Sequence, residues 1–160
     1  LCAARFVVVP MKTDALSRTG LRELAGDFRA MREHNPYLIL LGCFVFASGY
    51  GATNIRKETK ENVSRDLGQK GDDVMLKSFI RHSEAVGQQV PKYGRLAHEL
   101  EKEIVNNPKH WELKKGTAAS STVVSTTTQS VAEDFAKLTK EILTRGSKIR
   151  AEMMEKGMWP

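Results

Sequence analysis

The sequence predicts an all-α protein with one transmembrane helix. A short amphipathic N-terminal helix precedes that span, and an extended helical region with a Ser/Thr-rich linker follows it. Two observations carry this expectation. Residues 35 to 55, NPYLILLGCFVFASGYGATNI, hold no charged side chain in a chain that is 28% charged overall. As a helix rising about 1.5 Å per residue the stretch measures roughly 32 Å, the thickness of a bilayer's hydrocarbon core. Elsewhere, apolar residues recur at helical spacing in separate stripes.

The chain then divides into five parts: 1–34, 35–55, 56–115, 116–129 and 130–160. The first opens on LCAARF, short, basic and free of acids, as at the end of an organelle transit peptide. Over residues 13 to 33, Leu21, Leu24, Phe28 and Met31 with Ala25 form one apolar stripe. Arg18, Arg22, Arg29 and Arg32 occupy much of the remainder, which suits contact with anionic lipid headgroups. A helix lying against a protein neighbour is the competing reading.

In residues 35–55, Tyr37 and Tyr50 stand near the two ends, where amphipathic rings favour the membrane interface. Cys43, Ala47 and Gly51 recur every four residues and form a candidate helix-packing face of small side chains. The strongly apolar part, Tyr37 to Ala47, also suits a buried helix of a soluble bundle. Basic residues flank the stretch on both sides, with Arg56, Lys57, Lys60, Arg65 and Lys70 following it, so no orientation emerges.

Residues 56–115 read as a charged stalk and a helical hairpin. Asp72 and Asp73 suit a helix start, followed by the stripe Met75, Leu76, Phe79, Ile80 and Val86. Pro91 opens a second helix carrying Tyr93, Leu96, Ala97, Leu100 and Ile104, with Trp111 as a lid. Residues 116–129, GTAASSTVVSTTTQ, have the composition of a linker. Ser130 and Glu133 then match a capping box ahead of Phe135, Leu138, Ile142, Ile149 and Met153, a candidate partner-docking stripe. Folding of that helix onto the hairpin is the alternative.

Chemistry is sparse. The chain has two cysteines, Cys2 and Cys43, and no disulfide framework. Its four histidines lack the pairing of zinc or haem sites, so no metal, cofactor or catalytic residue is expected. No phosphate-cradling glycine loop occurs, and dinucleotide binding requires a βαβ unit that a helical chain does not offer. The charge of +6 comes without a dense basic block, which argues against nucleic acid. Neither an enzyme nor a binder of small-molecule substrates is expected.

The span ending GYGATNIRKETKENV, the basic N-terminal helix and the charged tail ending MEKGMWP resemble the small single-pass accessory subunits of mitochondrial respiratory complexes and ATP synthase. The resemblance implies a non-catalytic structural subunit of an inner-membrane complex, with other subunits and anionic phospholipid as partners. A plastid membrane is the alternative location. A membrane-tethered adaptor acting through its C-terminal helix and a soluble helical interaction protein are the rival functions.

Overall fold

A parallel β-sheet occupies the place expected of the membrane span. The computed structural model of the chain describes residues 3–68, 71–115 and 123–159, without the side chains of His110 and Trp111. Cys2, Lys70, the Trp111 lid and residues 116–122 of the expected linker lie outside the described residues. Two compact units are present: Leu1–His82 with Lys137–Pro160, and Ser83–Ala136.

The first unit is built on β1 (Phe6–Met11), α1 (Ala15–Met31), β2 (Ile39–Val45) and α2 (Thr53–Leu67). The strands β1 and β2 pair in parallel, which makes β1-α1-β2 a βαβ unit. Val7 lies opposite Leu40 and Val8 opposite Gly42, so the register shifts at Leu41. After α2 and the one-turn α3 (Gly71–Val74), the chain runs parallel to β2 again over residues 75–82. Leu76 N donates to Cys43 O at 2.7 Å and Ile80 N to Val45 O at 2.9 Å. The expected helix through Met75, Leu76, Phe79 and Ile80 is therefore an extended segment.

Packing explains the uncharged run. On one side, Cys43 and Val45 join Met11, Leu21, Val63, Val74 and Met75, a core shared with α1 and α2. On the other, Phe44 joins Leu76, Ile80 and Leu138, with Val8 and Ile142 packed against them. A parallel strand covered on both faces is apolar almost throughout, without the alternation of a half-exposed strand. The remaining uncharged residues are the turn and buried Leu38 ahead of β2, the glycine-bearing loop 46–52 after it, and Thr53–Ile55, which open α2. Among the described residues no helix is long and apolar enough to cross a membrane. The all-α class, the transmembrane helix over 35–55 and the single-pass inner-membrane or plastid placement are corrected accordingly.

The helix expected over 13–33 is present as α1. Asp14 caps it by accepting Ser17 N at 2.7 Å, and buried Leu21 seats it on the sheet. The last helix of the chain, α7, runs Thr127–Glu155 and contributes its residues from Lys137 onward to this unit. It begins before Ser130, so the expected capping box falls inside it. At the chain's end, Trp159 stacks against Arg5 and Arg150, at 4.4 and 5.4 Å, and lies 6.0 Å from Phe6.

The second unit holds α4 (Glu84–Tyr93), α5 (Ala97–Glu103), a 3-10 turn, α6 (His110–Lys114) and the start of α7. Pro91 lies within α4 rather than opening a helix, and Gly94 ends it in the left-handed conformation. Val86, Ala97, Val131 and Ala132 form its core, with Val90 against them. Residues 123–125 are strapped down by two amide side chains. Gln89 bonds Val123 O and Ser125 N, while Asn107 bonds both backbone groups of Val124.

Candidate functional site

Parallel pairing sends the carboxyl ends of β1, β2 and the 75–82 segment to one edge of the sheet. Phe46 N donates to Met11 O at 2.8 Å, so the first two connections leave the sheet side by side. Ser48 N donates to Ile80 O at 3.2 Å, and His82 N to Ser48 O at 2.9 Å, which binds the third alongside. In open parallel α/β sheets this is the edge where ligands are held.

Three short sequences form the edge. Lys12, Thr13 and Asp14 lead from β1 into α1. The Asp14 carboxyl is held below its ordinary value, chiefly by the hydrogen bond from the Ser17 amide, so it remains an anion. After β2 come Phe46, Ala47, Ser48, Gly49, Tyr50 and Gly51. Ala47 is the one non-glycine residue with positive φ, 56°, among the described residues. A side chain in that conformation is costly, and such strain concentrates at functional sites. Arg81 and His82 close the third connection.

The loop after β2 is braced from within. Arg56, in the first turns of α2, donates to Gly49 O at 2.7 Å and Tyr50 O at 3.1 Å. Its guanidinium also stacks 3.8 Å from the Phe79 ring centroid. With those contacts made, Arg56 holds the loop in shape. Tyr50 is left 70% exposed, with the Arg81 guanidinium 4.8 Å from its ring and Phe79 6.5 Å away. The Asp14 carboxylate already caps the positive end of α1, whereas α2 has neither a side-chain cap nor an acid in its first turn, so its positive end stays unneutralised. A flat ring, cations and the open N-terminus of α2 suit an anionic ligand that carries a planar group. Among the described residues, no group of three His, Cys, Asp or Glu is placed to hold a metal.

Of the expected site residues, Cys43 is fully buried in β2, whereas Ala47 and Gly51 lie in the loop beyond it. Their four-residue spacing is not a helical one here, and they share no packing face. Arg18 pairs with Asp66 at 2.9 Å, while Arg22, Arg29 and Arg32 are exposed along α1. In the docking stripe, Leu138 and Ile142 pack into the first unit's own core, and Ile149 and Met153 are half-buried. Phe135 belongs to the second unit and is exposed. Sequence reasoning passed over Lys12, Asp14, Tyr50 as a loop residue, and Arg81. The available signal was FVVVPM followed by a capping Asp, then LILLGCFV followed by ASGYG: two short apolar runs, each closed by turn residues before a helical pattern.

The chain matches no family model, no curated protein and no solved structure.

Proposed function

We propose that the first unit binds a nucleotide-class ligand, a planar ring bearing phosphate, across the carboxyl edge of its parallel sheet. The observation that carries this reading is the loop after β2, where Ala47 takes a left-handed conformation and presents Tyr50. The βαβ unit that nucleotide binding requires, and that a helical reading excluded, is there. Tyr50 backed by Arg81 supplies a stacking surface, Lys12 a cation, and the uncapped N-terminus of α2 favours negative charge. The chain has no glycine-rich phosphate loop, so its grip falls on the ring and the adjoining sugar rather than on a phosphate cradle. This role is binding without turnover.

Titration of the 160-residue chain with fluorescent ATP and GTP analogues tests the reading. Saturable binding is expected. Stacking on an aromatic side chain contributes about 1–3 kcal/mol per base, so Tyr50→Ala should weaken it roughly 5- to 100-fold. Absence of saturable binding, or an unchanged affinity in Tyr50→Ala, refutes it.

A second reading, a non-catalytic component of a larger assembly, is favoured by one observation. Leu143 and Met154, three helical turns apart on α7, are 64% and 57% exposed. Paired Leu143→Lys and Met154→Lys substitutions should release a stably copurifying partner while leaving nucleotide binding intact; retention of the partner rejects this reading.

A further inference from the structure

A recessed cleft of about 690 Å3 lies beside α1, bounded by the start of β2 and the ends of α2 and α3. Its size falls in the range of small-molecule sites, about 300–1,000 Å3. Leu24, Phe28, Ile39, Leu40 and Leu67 line it above a floor that includes buried Leu38. The stripe of α1 is thus only partly covered by its own protein: Leu21 is buried, but Leu24, Ala25 and Phe28 are half-exposed.

The charge along this cleft is one-sided. Arg22, Arg29 and Arg32 line it from one flank of α1, spaced seven and then three residues apart. None of the three makes an ion pair among the described residues, in contrast to Arg18, which is matched by Asp66. Arg29 gives one N–H to its own helix at Ala25 O, and the rest of its fork is uncommitted. Of the two carboxylates at the cleft, Asp66 is taken by Arg18, leaving Asp73 against three guanidinium groups.

We propose that this cleft binds a long-chain carboxylate, with the acyl chain on the Leu24–Phe28–Leu40 surface and the head group among Arg22, Arg29 and Arg32. Guanidinium forks match carboxylate geometry in a bidentate way, and the apolar lining shields a hydrocarbon chain from water. A bilayer is a poorer match, because the apolar surface is recessed while an interfacial helix must present its apolar face outward.

The test is titration of the 160-residue chain with cis-parinarate and with its methyl ester. One saturable site per chain is expected, with the ester weaker by about tenfold or more because it lacks the charge. The double variant Arg22→Glu/Arg29→Glu, altered only at exposed positions, should weaken the acid to a similar degree. Ala25→Phe, which fills the cleft, should abolish binding while helical circular dichroism is retained. Equal affinity for acid and ester, or an unaltered affinity in the charge-reversed variant, overturns the proposal. So does a chain that cosediments with anionic vesicles but gives no signal with the monomeric acid.

Discussion

Glu141 of α7 accepts the backbone amide of Ser78 at 2.8 Å, and its second oxygen accepts the amide of Lys77 at the same distance. Leu76 and Ile80 direct their amides to β2, so the intervening donors would otherwise lack a partner on that side. One carboxylate therefore takes two of the three intervening amides and fixes the 75–82 segment to the helix covering the sheet. Hydrogen bonds to a charged acceptor contribute about 1.5–3 kcal/mol each, and the site is partly open to water. Glu141→Ala should lower unfolding free energy by about 2–3 kcal/mol in urea titrations. A loss below about 0.5 kcal/mol, the scale of ordinary surface changes, would show that the segment does not depend on this contact.

The same carboxylate makes stability depend on pH. Burial works to raise its pKa, but the Ser78 side chain, the amides of Lys77 and Ser78, and Arg145 outweigh burial and hold it below the ordinary value of 4.5. A group with a depressed folded pKa stabilises fully above its unfolded pKa and loses that contribution as pH falls through the folded value. Urea midpoints of the native chain should therefore fall between about pH 4.5 and lower values more steeply than those of Glu141→Gln. Parallel curves for the two proteins would remove Glu141 as the titrating group.

Gly42 sits at φ +155° where the β1–β2 register shifts. A β-carbon there would lie 3.0 Å from Val74 O, 3.1 Å from the Arg145 guanidinium and 3.2 Å from a Leu76 methyl. Backbone cannot yield as a flexible side-chain tip does, and the φ itself disfavours a side chain. Gly42→Ala should cost about 1–3 kcal/mol and lower the thermal midpoint by several degrees. Gly26→Ala is the control: no atom of another element lies within 4 Å of its β-carbon position, and helix propensity favours alanine. Equal midpoints for the two variants would contradict the close approach.

The helix α1 was legible because Leu21, Leu24 and Phe28 report a local, 3.6-residue period on a capped segment. The strand β2 was not, because burial on both faces erases the two-residue alternation that marks a strand. Joined to a turn and a glycine loop, its seven residues imitated the length of a span. Residues 75–82 misled differently. Met75, Leu76, Phe79 and Ile80 happen to fall at helical intervals, while the bonds that extend the segment come from Cys43, Val45 and Glu141, distant in sequence. The candidate site was hidden for the same reason. Tyr50 reads in sequence as an interfacial ring, and only pairing of the strands shows that Lys12, Tyr50 and Arg81 end at one edge.

Cys43 offers a direct chemical test of how β2 is enclosed. Its side chain is inaccessible, and burial pushes the thiol up to about 11, with Arg145 acting weakly in the other direction. At pH 8 the reactive thiolate is then on the order of one part in a thousand, against about one in ten for a thiol at its ordinary value of 9.0. Iodoacetamide in lipid-free buffer should therefore leave Cys43 unmodified for hours in the folded chain and alkylate it promptly in guanidinium chloride. Mapping by peptide mass is needed, because Cys2 supplies a second thiol. Alkylation of Cys43 in native buffer at the rate of an unfolded thiol would mean that α1, α2 and α7 do not close over the strand. The parallel sheet, and the ligand edge built on it, would then have to be abandoned.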